Sequence, residues 1–565
     1  MKHLVSVLLV FHFSFFIFHY SIAQSFTHAD TLRGSVGTGR DWWDVLRYDV
    51  NVKFDFEDST ISGYANIEFK IIRKGIVMQI DLQEPLVLDS VFYIRNDTLN
   101  NGLLNKGILT AASKIEKITR DGNTYFFNNI AEKKSKRTHK LVIYYHGKPQ
   151  IAIYPPWDGG LIWKRDKNNN PWISVACQGL GASVWYPCKD HQSDEPDKGA
   201  SLTMTFPDTL VAVANGRLKE SVDNNDNTKT VTWEVKSPIN NYDLAFYIGK
   251  YVHFGETYKG VKGNLTMDYW VLDYDLEKAK KQFTDAKRMM KAFEYWFGPY
   301  PFYEDGYKLI EAPHLGMEHQ SGIAYGNKYQ NGYLGNDLSH SGWGLKWDFI
   351  IVHESGHEWF GNNITTKDIA DMWVHESFTN YSETLFTEFY YGKKAADAYL
   401  QGTRENIENK NPVISSYGVN KESETTDMYY KGANMIHTIR QVINNDALFR
   451  KILQGLNKTF YYQTVTTRQI EEYIIKQSKI NFSKVFDQYL RTIQIPVLEY
   501  KIEGYKISYR YTNCIKGFIL PLKINAKGQR WIRPTEQWQT LSLYPEGEIN
   551  FSVDPNFYIN TKKVE

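Results

Sequence analysis

Three observations predict a multidomain α+β chain. Residues 24–262 alternate apolar and polar side chains in short runs separated by turn signals, the period of half-buried strands. From Asp273 the period lengthens to that of amphipathic helices. After Ile495-Pro496 it shortens again. The expected order is an N-terminal antiparallel β domain (24–262), a mainly helical domain with a small sheet (263–492) and a small C-terminal β-sandwich (493–565). A length of 565 residues fits such a plan, at roughly three to four domains.

Each element follows from its own pattern. Tyr48, Val50, Val52 and Phe54 alternate with polar residues. Leu141 to Tyr145, Leu202 to Phe206, Val231 to Val235 and Leu244 to Val252 read as further strands, with Asn224-Asn225-Asp226-Asn227 as a turn between them. Asp273 to Phe297 places Ala279, Phe283, Ala286, Met290 and Phe293 on one helical face and lysines on the other. Tyr307 to Tyr325 reads as strand and loop. Helical segments are expected over Ser339 to Asn363, Met372 to Tyr391, Ala395 to Glu408, Met428 to Asn444 and Thr467 to Ile475. Leu498 to Ile502, Ile507 to Arg510, Phe518 to Ile524 and Leu541 to Leu543 return to strand period.

Composition narrows the class. The 42 % hydrophobic and 23 % charged fractions are those of globular protein. A net charge of +2, mixed rather than blocked, gives no footprint for nucleic acid. The N-terminus runs Met1-Lys2-His3, an apolar stretch from Leu4 to Phe18, then Ser21-Ile22-Ala23-Gln24. This is the build of a signal peptide (1–23) cleaved after Ala23, and implies export to the periplasm or beyond; an uncleaved anchor is the alternative. No other stretch is long and apolar enough to span a bilayer. Cys177, Cys188 and Cys514 leave room for one bridge, Cys177 to Cys188 among the choices, which the sequence does not decide.

The chemistry concentrates between Phe349 and Glu383. His353-Glu354-Ser355-Gly356-His357 puts two imidazoles four residues apart, on one helix face, where both can grip one metal ion. Glu354 then sits beside the metal's open side, placed to deprotonate a water. Glu376 follows His357 after eighteen intervening residues, enough for the first helix to end and a second to present a third ligand. His375 adjoins it, but helical neighbours diverge by about 100°, so one of the two reaches the metal. A carboxylate completes the His-His-Glu set expected of a single catalytic Zn²⁺. Asn380 and Glu383 lie one and two turns further on, and either could orient a ligating histidine.

Together, H-E-S-G-H and W-V-H-E-S-F-x-x-Y-x-E resemble the aminopeptidase N family of zinc peptidases, which includes the leukotriene hydrolases. Four more stretches agree in order. Leu315-Gly316-Met317-Glu318-His319 resembles the G-x-M-E-N exopeptidase motif. Gln178, Trp185-Tyr186-Pro187-Cys188 and Asp194-Glu195-Pro196 resemble Q…F-P-C-x-D-E-P. Asn241 to Phe246 resembles the Y-L-L-A-F strand, and Tyr429-Tyr430-Lys431-Gly432-Ala433 resembles Y-x-K-G-A. The likeness spans Val45 to Tyr489. It implies a thermolysin-like helical domain and an aminopeptidase acting on peptides with a free N-terminus. It gives His353, His357 and Glu376 as zinc ligands and Glu354 as general base. It makes Tyr429 the oxyanion donor and Glu318, with Gln178, the receptor of the substrate's α-ammonium, while Gly316 and Met317 line the substrate.

The sequence departs from the pattern in places. The motif's Gly is Leu315 and its Asn is His319. The Gln after the second histidine is Glu358, and the one residue between Cys and Asp has become five, Lys189 to Ser193. None touches a ligand or the base; they bear on the rim of the first substrate pocket and on how Glu318 is held. The family's large helical C-terminal domain is not expected after Pro496. Two other readings stand beside the aminopeptidase: a zinc endopeptidase with the same core, and a peptide-binding protein that kept the fold without catalysis.

Overall fold

The computed structural model describes residues 26–95, 112–132, 138–543 and 550–565, so the expected signal peptide lies outside the described residues. The N-terminal region is built on the long hairpin Trp43–Asp55 and Thr60–Ile71, whose register pairs Val50 with Ala65. Eight strands form this sheet. One flank runs through Ala200–Pro207 to Thr228–Val235 and Arg217–Asp223, the other through Thr138–Gly147 to Val87–Arg95 and Ala112–Lys114. A second sheet, ordered Val211–Ala214, Phe246–Gly249, Pro171–Ala176 and Gly160–Arg165, shares its core. Phe54 meets Phe246 edge-on at 4.8 Å across that core. The domain departs from the expected antiparallel plan at one seam, where Tyr48 pairs in parallel with Ala200. The run expected as one strand over Leu244 to Val252 breaks after Gly249.

A five-stranded sheet then leads into the helical region, ordered Tyr251–Gly260, Gly263–Leu272, Tyr307–Glu311, Ile323–Tyr325 and Gly316–Met317. The boundary expected at 262/263 falls in the turn of its first hairpin, and both strands of that hairpin pair within this sheet. Gly316–Met317 is an edge, antiparallel to Ile323–Tyr325.

Ten α-helices occur among the described residues. Helix α1 (His28–Gly34) precedes the β domain. Helices α2 (Leu276–Gln282) and α3 (Thr284–Phe297) divide the expected single helix at Phe283, whose buried ring meets Tyr325 edge-on at 4.8 Å. Helix α4 (Phe349–Gly356) is shorter than the helix expected from Ser339, because residues 339–347 form turns and one short 3-10 segment (Gly344–Lys346) that leads into the buried Trp347. Asp348 starts α4: its carboxylate accepts the Ile351 N–H at 3.3 Å and is held by Tyr325, Gln282 and Asn327. Helices α5 (Trp373–Tyr391), α7 (Tyr430–Ile443) and α9 (Thr467–Ser478) follow the expected segments, while α6 (Lys393–Gly402) ends short of Glu408 and tightens into a 3-10 turn over Thr403–Asn406. Helices α8 (Asp446–Thr459) and α10 (Ser483–Arg491) lie outside the expected helical segments.

The C-terminal residues form a four-stranded sheet (Gln539–Ser542, Lys506–Thr512, Val497–Glu503, Asn560–Lys563) and a three-stranded one (Gln529–Ile532, Leu522–Asn525, Ser552–Val553). Their apolar residues are continuous with the helical core, and Tyr489 of α10 donates to the Tyr558 carbonyl. Cys177, Cys188 and Cys514 are all free, so the bridge left open by the sequence does not form. No helix among the described residues is long and apolar enough to cross a membrane.

Candidate metal centre and amine pocket

His353 projects from α4, and His357 from its C-cap, toward α5. Their rings lie 5.1 Å apart at 79°. Glu376, in the first turn of α5, places one carboxylate oxygen 3.9 Å from His353 Nε2 and 3.5 Å from His357 Nε2. One donor atom from each of the three lies within 4.8 Å of the others. That oxygen, Glu376 Oε2, is buried without a hydrogen-bond partner, which is costly unless a cation fills the gap. Two imidazoles and a carboxylate at this separation fit a zinc ion.

The outer groups complete the fit. His353 Nδ1 faces Glu383 Oε1 at 2.7 Å, and Glu383 also receives Tyr399 OH (2.7 Å) and Asn380 Nδ2 (3.0 Å). Of the two residues that the sequence left open, Glu383 therefore orients the histidine and Asn380 supports Glu383. His357 Nδ1 faces the Phe360 carbonyl at 3.1 Å. Each ring thus donates from Nδ1 and leaves the Nε2 lone pair for a metal. The Phe360 carbonyl is turned inward because α4 ends in a wide turn over Glu358–Asn362. Gly361 there has φ 139°, a conformation that side chains resist. His375 points the other way and accepts the Thr366 N–H at 2.9 Å.

Electrostatics are severe. Burial lowers His353 to about 3 and His357 to about 4, so both rings are neutral and ligand-ready. Burial raises Glu354, and nearby Glu318 and Glu383 raise it further. Glu376 is raised by burial, then by Glu318, Glu422 and Glu354. Burial pushes Glu383 up to about 8, against the hydrogen bonds of Tyr399 and Asn380. Carboxylates crowded in this way favour a cationic guest.

The remaining predicted residues converge on the same cleft. The backbone at Gly316 runs over Glu354: a Cβ there would meet Glu354 Oε1 at 2.6 Å. Met317 is buried beside it. Glu318 is 3 % exposed; its Oε1 accepts Gln178 Nε2 at 2.5 Å and Tyr242 OH at 3.2 Å. Its carbonyl accepts Asn362 Nδ2 at 2.7 Å, tying it to the turn that ends α4. Tyr429, half-buried, lies with its ring 6.1 Å from that of His353, and its hydroxyl interacts with Glu376. Burial, then Glu376, raises the Tyr429 phenol, which stays a donor. Ser377 Oγ donates to the Met428 carbonyl at 2.6 Å and so fixes the approach of Tyr429 to α5.

The departures also have places. His319 Nδ1 pairs with Tyr247 OH at 2.6 Å, behind Glu318. Glu358 accepts the Ser321 N–H at 2.8 Å and is pushed up to about 8 by burial. The site also draws on Tyr242, Tyr399 and Glu422, beyond the residues the sequence motifs assign. Tyr242 stands in a motif the sequence displayed; Tyr399 and Glu422 carry no local signal.

A helix pair holding His353, His357 and Glu376, beside an edge strand and a buried carboxylate, defines the metallopeptidase class with a two-histidine, one-glutamate centre. The comparisons specify it. Residues 282–489 match the Peptidase family M1 domain and residues 45–242 the Peptidase M1 N-terminal domain. This chain belongs to peptidase family M1, the aminopeptidase N family. It is similar to a probable aminopeptidase 2 of Sulfurisphaera tokodaii, with 21 % identity over 86 % of this chain and 59 % of the relative. It is also similar to leukotriene A-4 hydrolase of Xenopus laevis, with 21 % identity over 68 % of this chain and 62 % of that protein. The chain therefore spans about three fifths of these relatives' length. In fold it is similar to an M1 zinc metallopeptidase mutant from Deinococcus radiodurans, with TM-score 0.63, 18 % identity, and coverage of 80 % of this chain and 95 % of that one. The same enzyme bound to a Tyr-Ser-Ala substrate aligns with TM-score 0.62.

Proposed function

We propose that the protein is a zinc aminopeptidase that removes N-terminal residues from peptides. The observation that carries this reading is the buried Glu318 carboxylate, held by Gln178 and Tyr242 in the cleft of the His353, His357 and Glu376 set. These three residues would hold Zn²⁺, which when bound supplies Lewis acidity that activates water and polarises a carbonyl.

The chain's own groups then have defined tasks. Glu354 accepts a proton from the attacking water and delivers it to the leaving amine, a role suited to a carboxyl whose pKa is raised. Tyr429 donates its O–H to the oxygen that gains charge as the carbonyl is attacked. Glu318 accepts the substrate ammonium, with Gln178 fixing the carboxylate's orientation. A peptide lacking that ammonium would bury Glu318 without a counter-charge, so internal segments and blocked termini are rejected. Gly316 and Met317 offer their backbone edge to an extended substrate. Export through residues 1–23 belongs to the same proposal.

The test uses a matched pair of peptides, one free and one N-acetylated, with and without a chelator. The proposal expects cleavage of the free peptide alone, lost on chelation and restored by Zn²⁺. Equal cleavage of both would make the protein an endopeptidase.

A further inference from the structure

The five residues Lys189 to Ser193, where the family pattern has one, receive the N-terminal segment. Arg33 of α1 pairs through Nε with Asp190 Oδ2 at 3.2 Å, and His191 Nε2 lies 3.2 Å from the Gly34 carbonyl. Arg33 Nη1 also donates to the Gly179 carbonyl at 2.6 Å, one residue beyond Gln178. The catalytic region reaches the same carbonyl: Asn420 Nδ2 donates to it at 3.1 Å, while Asn420 N donates to the Asp30 carbonyl at 2.9 Å. At Gly34 a Cβ would lie 2.1 Å from Asn420 N, so only glycine permits this approach. Arg40, fully buried, holds the Leu32, Arg33 and Ser35 carbonyls and anchors the segment to Asp81. Arg33, Gly34, Asp190 and His191 line one small cavity with Gln178 and Tyr242, the two residues that hold Glu318.

We propose that residues 26–34 form a strap that sets the amine pocket, with Arg33 as its positioning residue. This rests on the reading of Glu318 as the ammonium receptor. Gln178 is a side chain with free rotations on a glycine-flanked turn. A hydrogen bond to Glu318 orients the carboxylate only if that turn is held still. Arg33 holds it from the N-terminal side with a charged donor, and Asn420 holds it from the catalytic side. The strap thus couples the two domains at the point where the substrate's terminus is recognised.

The experiment uses the full zinc-loaded enzyme and an amino-acid p-nitroanilide that it turns over. Arg33→Ala should raise KM roughly tenfold, the scale of a lost charge-assisted hydrogen bond, with kcat within about twofold. Arg33→Lys should recover part of that loss. Gly34→Val, which parts the strap from Asn420 without touching Arg33, should raise KM in the same way if Arg33→Ala proves unstable. Glu318→Gln is the control. Unchanged KM in both strap variants, or a fall in kcat alone, while Glu318→Gln raises KM, overturns the strap. Unchanged KM in Glu318→Gln removes the ammonium reading itself, and the strap's role with it.

Discussion

The candidate metal centre and the proposed amine pocket differ in how far the chain travels to build them. The centre draws His353, Glu354, His357 and Glu376 from two consecutive helices and the C-cap of the first. The pocket joins Glu318 to Gln178 across 140 residues and, through the Gly179 turn, to Arg33. A centre made within one helix pair is rigid once that pair packs, and its geometry follows from helix period. A pocket made between domains is only as rigid as the contacts that close it. Substitutions in the centre should therefore remove chemistry, and those in the pocket should loosen recognition.

The largest effect tests the centre as a whole. Chelation should reduce peptidase activity to background and lower the melting temperature, since a bound ion stabilises only the folded state; an active chelated enzyme would break the zinc assignment. Glu354→Gln should next cost about 10³-fold in kcat, the scale of lost general acid–base catalysis, while zinc content by metal analysis stays at one per chain. Glu318→Gln should cost about ten- to a hundredfold in kcat/KM for a free-amine substrate, with zinc retained, because a hydrogen bond to a charged group is lost. Glu383→Gln should weaken zinc binding by about tenfold or more in competition with a chelator, the effect of losing a group that orients a ligating histidine. Gly361→Ala should cost about 1–3 kcal/mol of stability at its positive φ, read from denaturant midpoints. If Glu318→Gln removed zinc, the centre and the pocket would not be separable; if Glu383→Gln spared it, Glu383 would not orient the ligating histidine.

Legibility in the sequence followed the same divide. The domain order, the strand through Tyr48 to Phe54 and helix α5 could be read because their periods are local; the partner strand Thr60–Ile71 is placed only by the structure. Helix α8 carries a readable period too, with Phe449, Ile452, Leu453 and Leu456 buried on one face, although it was not among the expected helices. Residues 339–348 misled in the other direction, since Trp347 is buried in a turn and not on a helix. The parallel pairing of Tyr48 with Ala200 had no local signal, because strand direction is set by which distant strand arrives.

Which atoms can bind a metal is legible from spacing alone: two imidazoles four residues apart and a carboxylate one loop later, because the 3.6-residue turn dictates a shared face. Packing, by contrast, selects Glu383 over Asn380 to orient His353, turns His375 away, and brings Gln178 and Tyr242 together on Glu318. Those choices depend on which side chains are buried against one another, and burial is settled by packing between segments far apart in the chain.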